Sequence, residues 1–446
     1  MAVGTEVRAV RVLHVCSFYR PLGGAEKLLF DVLDLLESHG IENAVVAPEA
    51  QSGGRTGRRR EYFVDYLEYP FSRADLSTAI RDNRRLVRII RAIVDKERPD
   101  VIHLHNQQNP FVYHACASAG IPMVRNVHDP RLYCPTHWRL LPDRSLCPYP
   151  VGRACVREGC LDWTPGTVKH VAALIFGRHL SLKNTTLIIE SQESYRLALQ
   201  NGYREEQLCL IPNFTTLRPL DEELAEKERH QKPGQKNVLF VGRASYEKGL
   251  HLLLRAMAHV RSDCSLHLLT AGDYFERSVE PLIRSLGLTS RVHVKLGTGY
   301  AETARYYSLA DVVVVPSVWF ETFCLVGIEA FSHLTPVVGT RTGGISDWCV
   351  DGETGFLVDL YDEAGMGQAI DRLLTNPEMA RQFGLNGYRS VEQHYTGNIY
   401  FERLSALYER VVANGEGPSH RHLGVARRAV QPRPGVPGGG TQAEGP

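Results

Sequence analysis

Short apolar runs alternate with amphipathic stretches through the first half of the chain. Residues 11–17 (RVLHVCS) form an apolar, β-rich run, and residues 25–39 carry leucine and valine at helical spacing. Runs typical of buried strands recur at 43–47, 101–104 and 122–127. Strands that are almost wholly apolar and alternate with helices predict a parallel sheet covered on both faces.

The same alternation restarts after residue 235. Strand patterns occur at 237–241, 265–269, 291–294 and 311–315, and residues 249–260 predict a helix. We therefore predict an α/β protein of two tandem doubly wound, Rossmann-like domains that face a central cleft. Sheets of this kind bind ligands outside the carboxyl ends of their strands, so the cleft is the expected place for chemistry.

The domain boundaries follow from this pattern and from local composition. The predicted units are a first domain over 1–212 with a cysteine-rich insert at 130–165, a polar linker over 213–235 and a second domain over 236–396. A helix over 397–414 is expected to be the last ordered element, because the Gly/Pro/Arg-rich composition of 415–446 predicts disorder.

Composition narrows the function classes. With 446 residues, 43% hydrophobic and 23% charged, the chain has the make-up of a soluble globular protein of two domains. A net charge of +1 argues against a nucleic-acid binder. There is no apolar run of the roughly 18 residues that a membrane span needs and no secretory apolar region, and most of the ten cysteines stand singly in apolar segments. We therefore expect a cytoplasmic protein.

The segment 316–330 (PSVWFETFCLVGIEA) places two carboxylates around the start of a predicted helix. Glu321 precedes the helix and Glu329 lies within it, eight positions on, which is at most about 12 Å along a helix axis. A nucleotide sugar separates its hexose from its ribose by a similar distance, and a carboxylate can accept hydrogen bonds from a vicinal diol. Backbone N–H groups at Phe323, Cys324 and Leu325 open the helix and suit a diphosphate. Taken alone, the spacing fits two surface glutamates equally well.

A second segment, 237–250 (NVLFVGRASYEKGL), carries two cations at a strand-to-helix turn. Gly242 ends the strand, and Arg243 and Lys248 then offer a guanidinium fork and a point charge that could clamp phosphates. An exposed basic loop would contain the same residues.

Glycine pairs follow strands at two further points. Gly23 and Gly24 stand between the first strand and the first helix, and Gly343 and Gly344 follow a strand in PVVGTRTGGISD (336–347). Glycine allows a ligand to approach the backbone closely, although simple turns use the same pairs.

Together these segments resemble the family-four, group-one retaining glycosyltransferases of the GT-B fold, whose signature is a pair of glutamates separated by seven residues. The likeness extends over nearly all of 9–412. It implies that Glu321 contacts the donor sugar, that Glu329 holds the ribose diol, and that Arg243 and Lys248 neutralise the leaving diphosphate. At the position of Cys324 the family usually has a smaller residue, often glycine.

Further residues gain an expected role only through this resemblance. His128, in NVHDPRLYCP (126–135), corresponds to a histidine that touches the donor sugar near the reacting centre. The two glycine pairs correspond to loops that face the cleft or lie near the donor. The closing helix is expected to cross back onto the first domain.

The resemblance implies transfer of a hexose from a nucleotide-diphosphate sugar to a glycan, a lipid-linked intermediate or a small molecule. It also implies retention of configuration and no cofactor or metal for catalysis, so that catalysis consists mainly of positioning and of stabilising the leaving charge. Two alternatives stay open. One is a nucleotide-sugar epimerase or phosphorylase of the same fold, and the other is a non-catalytic module that binds a nucleotide sugar or a metal.

Four cysteines cluster in the insert, with spacing C-x12-C-x7-C-x4-C: Cys134, Cys147, Cys155 and Cys160. Such a cluster in a Pro/Gly/Arg-rich segment can hold a structural Zn²⁺, but the C-x2-C spacing typical of zinc sites is missing. Zinc, disulfides and free thiols are therefore alternatives at this point.

A basic amphipathic helix is predicted at 81–94. Its arginines recur at helical spacing between apolar residues, at Arg81, Arg84, Arg85, Arg88 and Arg91. Such a face suits the surface of an anionic membrane, where a lipid-linked acceptor would lie, but a solvated helix face has the same pattern.

Overall fold

The computed structural model describes residues 10–20, 23–48, 59–64, 76–107, 109–161, 164, 185–232 and 234–414. The tail at 415–446, for which disorder is predicted, lies outside the described residues, as does the side chain of Arg81. None of the described helices is long and apolar enough to cross a membrane.

The first domain is built on a sheet of seven strands in the described part of the chain, all paired in parallel. In spatial order the strands are β3 (Arg60–Val64), β2 (Glu42–Pro48), β1 (Arg11–Cys16), β4 (Val101–His105), β5 (Met123–Asn126), β6 (Thr185–Ile189) and β7 (Leu208–Leu210). The order reverses between β1 and β4, and ligands bind beyond the carboxyl ends of strands at such a point.

The second domain repeats this plan with six parallel strands among the described residues. In spatial order they are β10 (Val292–Leu296), β9 (Ser265–Thr270), β8 (Asn237–Val241), β11 (Val312–Val315), β12 (Val337–Thr340) and β13 (Gly355–Val358). The reversal falls between β8 and β11, the strands that precede the two charged motifs. The predicted fold class, two doubly wound α/β domains, is confirmed.

Helices cover both faces of the first sheet: α1 (Gly24–Ser38), α2 (Leu76–Glu97), α3 (Pro110–Ala117) and α5 (Gln192–Gln200). The short helix α4 (Ala154–Arg157) lies in the cysteine-rich insert and buries no residue. Helix α2 contains the predicted basic helix. Its apolar stripe, including Leu86 and Ile90, packs into the core of the first domain, and its arginines from Arg84 to Arg91 face solvent. Because the apolar face is already buried, only the basic face of α2 is available to a partner.

The second domain carries α6 (Leu220–His230), α7 (Leu250–Ala256), α8 (Glu280–Ser285), α9 (Tyr300–Leu309), α10 (Leu325–Ser332), α11 (Ile345–Trp348), α12 (Glu363–Thr375) and α13 (Pro377–His394). Helix α6 lies within the stretch predicted as a linker. Its Lys227 Nζ donates to the carbonyl of Ala310 at 3.0 Å and to Thr335 Oγ1 at 2.8 Å. These hydrogen bonds satisfy the ammonium group of Lys227 and hold α6 against the second domain. The polar sequence of α6 is therefore explained by its contacts with that domain.

The last helix, α14 (Gly397–Asn414), returns to the first domain. Its Tyr400, Leu404 and Leu407 are buried in a cluster that includes residues of β1 and α1. Its Tyr408 hydroxyl lies 2.7 Å from His103 Nδ1 on β4. Burying each of these large side chains stabilises the fold by about 1.5–3 kcal/mol, so α14 ties the two domains together across the cleft.

Candidate active site at the interdomain cleft

A buried ion pair joins the two charged motifs of the second domain. Lys248, in the turn after β8, places Nζ 2.8 Å from Oε1 of Glu321, in the loop after β11. Ser317 Oγ donates to the same oxygen at 2.6 Å, and the ammonium lies 5.1 Å from the centroid of the Trp319 ring. Glu321 is only 4% exposed.

The turn that carries Lys248 depends on Gly249. This residue has φ of +68°, and a Cβ there would lie 1.7 Å from the carbonyl oxygen of Pro316. A side chain would therefore force the turn away from the 316–321 loop. Close backbone contact between the two loops is what brings Lys248 to Glu321.

Burial and pairing act in opposite directions on the pKa values of this pair. Burial disfavours ionised Glu321, but Lys248 and Ser317 more than offset it, so the pKa of Glu321 lies below its ordinary 4.5. Burial also disfavours charged Lys248, and Glu321 more than offsets that, so the pKa of Lys248 lies above 10.5. Both groups are charged at neutral pH, and Arg243 stands 59% exposed nearby, 3.4 Å from Glu247. An anionic ligand would therefore meet two cations here.

His128 lies on the opposite side of the cleft, after β5. Its Nδ1 is 2.6 Å from Oε1 of Glu190, which follows β6 directly. A carboxylate can only accept, so Nδ1 carries a proton, and in that tautomer of imidazole Nε2 is an acceptor. Nε2 is buried and has no hydrogen-bond partner among the described residues. It could accept a hydrogen bond from a substrate hydroxyl.

Thr322 connects the two sides of the cleft. Its Oγ1 lies 2.9 Å from the carbonyl oxygen of His128 and 3.2 Å from Oε2 of Glu190. The residue next to Glu321 therefore touches the histidine and its carboxylate partner. The predicted residues His128, Lys248 and Glu321 thus belong to one interdomain site.

Two helix N-termini face each other in this cleft. Gly24 begins α1 and Leu325 begins α10, and a Cβ on Gly24 would lie 3.7 Å from the Leu325 side chain. Unpaired N–H groups and the positive dipole end make each N-terminus favourable for an anion. Gly23 is the cap of α1 and has no side chain, and the carboxylate of Glu26 in the first turn lies 2.8 Å from the position that a Cβ on Gly23 would take.

The residues at the start of α10 contribute through their backbone. Phe323 is 1% exposed in the core of the second domain, and its carbonyl accepts from Trp348 Nε1 at 2.7 Å. Cys324 caps the helix with φ of +72°. That conformation disfavours any residue with a Cβ, which gives a physical reason why glycine suits this position.

The glycine pair after β12 packs directly on the Glu321 loop. Gly344 N donates to the carbonyl of Glu321 at 2.7 Å. A Cβ on Gly343, whose φ is +51°, would lie 1.9 Å from that same carbonyl oxygen. The pair therefore supports Glu321 from behind. Gly242 directly follows β8, which pairs with β11.

Glu329 also contacts the first domain. Its Oε2 accepts from the Tyr307 hydroxyl at 2.9 Å, and its Oε1 lies 3.3 Å from Nζ of Lys27 on α1. Lys27 also pairs with Asp31 at 2.9 Å. The second glutamate of the motif is thus held in an ion pair across the cleft.

A further carboxylate crosses the cleft at Asp347. It accepts from the backbone N–H of Gln192, the first residue of α5. Burial raises the pKa of Asp347 from 3.8 to about 6, and the bond from Gln192 offsets only part of this effect. Its charge therefore changes in the mildly acidic range.

Three buried histidines lie close together beneath the cleft, and two of them, His14 and His105, are hydrogen-bonded to each other. Nitrogen atoms of His14, His103 and His105 lie within 4.8 Å of one another, the one grouping of potential metal ligands at that spacing in the described part of the chain. His14 Nε2 bonds to Asn43 Oδ1 at 3.1 Å, so its Nδ1 accepts from His105 at 3.0 Å. Burial lowers the pKa of His14 to about 4. The bonds are consistent with neutral rings and need no metal.

The cysteine cluster borders the same cleft. Cys134, Cys147, Cys155 and Cys160 line one small cavity, and none of the four is in a disulfide within the described part of the chain. No three of their sulfurs lie within 4.8 Å of one another.

Sequence reasoning missed four residues that the fold brings to the site: Lys27, Glu190, Thr322 and Asp347. Glu190 directly follows β6, so recognising that strand would have placed it at the carboxyl edge of the sheet, where ligands bind. Lys27 stands on α1 one turn after the glycine pair. Thr322 and Asp347 act across the domain boundary, which the local pattern does not reveal.

Two protein-family models match the chain. The model for Glycosyltransferase Family 4 matches residues 22–217, and the model for Glycosyl transferases group 1 matches residues 221–390. The first match covers the strands of the first sheet except β1, and the second contains the charged motifs.

Curated relatives and a solved structure agree with these matches. The chain is 35% identical over 182 residues to the D-inositol 3-phosphate glycosyltransferase of Corynebacterium diphtheriae, covering 39% of this chain and 42% of that protein. It is 28% identical over 336 residues to D-inositol 3-phosphate glycosyltransferase 1 of Catenulispora acidiphila, covering 71% and 74%. Its fold resembles that of Anabaena HepE, solved with UDP and glucose (TM-score 0.66, 19% identity, covering 90% of this chain and 100% of that chain). The chain belongs to the group 1 glycosyltransferases of the family-four type and has their GT-B fold.

Proposed function

We propose that this protein transfers a hexose from a nucleotide-diphosphate sugar to an acceptor hydroxyl with retention of configuration. The observation that carries the proposal is the buried pair of Lys248 and Glu321, set beside two helix N-termini that face one cleft. This arrangement offers cations and backbone N–H groups to a diphosphate and a fixed carboxylate to a sugar.

The donor would lie along the start of α10. Its diphosphate would contact the N-terminus of α10 together with Arg243 and Lys248, and the cations would stabilise the charge that develops on the leaving group. Glu321 would then accept from the hexose hydroxyls and Glu329 from the ribose diol. The Tyr307 hydroxyl donates to Oε2 of Glu329 and fixes this carboxylate. Once Lys27 is displaced, Oε1 is left to accept from the ribose diol.

His128 would act on the sugar from the first domain. With Nδ1 bonded to Glu190, Nε2 is an acceptor that suits a hexose hydroxyl close to the anomeric carbon. Thr322 ties His128 to the Glu321 loop, so closure of the domains would bring both residues to the sugar together. The residues that supply this chemistry are all side chains or backbone groups, and we propose that catalysis requires no metal.

The acceptor hydroxyl would belong to a glycan, a lipid-linked intermediate or a small polyol. D-Inositol 3-phosphate, named for two relatives, is an example of the last class. A membrane-linked acceptor would fit the exposed arginines of α2, since a basic face is attracted to anionic lipid. Vesicles of anionic lipid at low salt should then retain the protein, and Arg84→Glu with Arg88→Glu should abolish retention. Equal retention of both forms would contradict the membrane contact.

The first experiment is nucleotide release from a panel of UDP-, GDP-, ADP- and dTDP-sugars, followed by product analysis. Release from one donor should fall at least a hundredfold in Glu321→Gln and stay unchanged in Glu378→Gln, an exposed glutamate on α13. The anomeric configuration of the product, read by NMR, tests retention. Binding of donors without turnover, in the presence of candidate acceptors, would instead favour a non-catalytic nucleotide-sugar binder.

A further inference from the structure

The cysteine-rich insert is ordered without a core of its own. Between 136 and 161, all of which the structure describes, the one fully buried residue is Arg139. Regular structure is limited to the four-residue helix α4 and a single bridge between Leu140 and Leu146. Segments of this size that lack an apolar core need a covalent or metal crosslink to hold one conformation.

The four cysteines line one cavity despite their spacing in the sequence. Cys134, Cys147, Cys155 and Cys160 all line a cavity of about 10 Å³. A volume of that size holds about one water-sized sphere, which is also the room a single metal ion needs.

The buried guanidinium of Arg139 at this cavity is a second observation, independent of the cysteines. It lines the same cavity, is 5% exposed, and places Nη1 2.5 Å from the carbonyl oxygen of Tyr149 and 4.0 Å from Cys147 Sγ. Its Nε has no hydrogen-bond partner, and no carboxylate among the described residues forms an ion pair with it. A buried cation of this kind requires a nearby negative charge.

We infer that the four cysteines bind a structural Zn²⁺ as thiolates and that Arg139 compensates the charge of the complex. Four thiolates and one Zn²⁺ carry a net charge of −2, which a buried guanidinium reduces. Two disulfides or four neutral thiols would be uncharged and would leave Arg139 without a counter-charge. At Zn–S bonds of about 2.3 Å in tetrahedral geometry the sulfurs lie about 3.8 Å apart, so zinc would contract the cavity.

The zinc site would also shape the cleft. The insert contacts two loops of the second domain. The Trp138 ring stacks on that of Tyr246, in the loop after β8, with 5.9 Å between ring centroids. The Trp138 carbonyl accepts from Phe320 N, in the loop after β11, at 3.4 Å. Arg144 places its guanidinium 5.3 Å from the Tyr246 ring centroid. Tyr246 lies between Arg243 and Lys248, so the crosslinked insert forms the wall beside the proposed donor phosphates.

The test is the metal content of the purified full-length protein by inductively coupled plasma mass spectrometry. We expect about one zinc per chain, loss of most of it in Cys147→Ala and in Cys160→Ala, and no change in Cys209→Ala, a half-buried cysteine outside the cluster. Replacement by Co²⁺ should give the visible absorption of tetrahedral cobalt thiolate. Less than about a tenth of a zinc in the wild type, or iron in its place, would overturn the inference.

A second measurement keeps the result independent of how the variants fold. Intact mass after alkylation of the wild-type protein, with and without a chelator, counts the thiols. We expect the four cysteines to be protected from alkylation until zinc is removed and to react fully afterwards. A mass lower by about 2 Da per pair, with no reaction after chelation, would establish disulfides and refute the zinc site. Neither readout depends on transferase activity.

Discussion

The pair of Lys248 and Glu321 offers a direct test of the site. Lys248→Met removes the ammonium but keeps the length of the side chain, and Glu321→Gln removes the charge but keeps the shape. The double variant removes both charges. Because the pair is buried and its atoms lie 2.8 Å apart, the two single changes should not be additive.

The expected magnitudes follow from burial. Breaking a buried pair costs about 3–5 kcal/mol, and the Lys248 side chain is 22% exposed, so water can replace part of the interaction. We expect Lys248→Met to lower the free energy of unfolding by about 3 kcal/mol, because it leaves Glu321 buried and charged. Glu321→Gln should cost about 1–2 kcal/mol, because the ammonium can reach water. The double variant should cost about 2 kcal/mol less than the sum of the single changes.

Chemical denaturation of the three variants and the wild type measures this coupling. The stability difference between the wild type and Lys248→Met should be full where Glu321 is ionised in both proteins. It should shrink as pH falls through the pKa of the unpaired Glu321 of the variant, which burial raises above 4.5, because protonation there removes the unpaired charge while the pKa of Glu321 in the wild type is still depressed. Donor turnover by Lys248→Met should fall about 10²–10³-fold. Single effects that add within about 0.5 kcal/mol in the double variant would refute the buried pair.

Three further predictions concern the cleft. Because burial raises the pKa of Asp347 from 3.8 to about 6, the folded state holds its proton more tightly. Stability should therefore fall by about 2 kcal/mol as pH rises from 4 to 6. Asp347→Asn should remove this dependence in denaturation at several pH values, and an unchanged slope would contradict the assignment. If Glu329 binds the ribose, Lys27→Met should tighten nucleoside-diphosphate binding, measured by calorimetry, by up to about fivefold. That factor corresponds to the free energy of a partly exposed ion pair, which the donor no longer has to break. Weaker binding would argue against displacement of Lys27. At φ of +72°, Cys324→Gly should be more stable to denaturant than Cys324→Val by about 1–2 kcal/mol, and equal stability would show that the position is unstrained.

The sequence by itself determined the two domains, the alternation of strands and helices, and most of the charged motifs. Almost wholly apolar strands such as 237–241 must be covered on both faces, and a parallel sheet with helices on each side is the arrangement that achieves this. Lys248 and Glu321 could be singled out because both follow strands of the same sheet, whose carboxyl ends lie at one edge. The strands at 60–64, 185–189 and 208–210 escaped this reasoning.

Tertiary structure decided which of these residues act together. Glu190 reaches His128, Thr322 reaches both, and Lys27 reaches Glu329 only because the two domains face each other under α14. The four cysteines and Arg139 likewise meet only once the insert has folded. The physical reason is that local sequence sets hydrophobic periodicity and turn geometry over a few residues, whereas hydrogen bonds and ion pairs between distant segments depend on how complete domains pack.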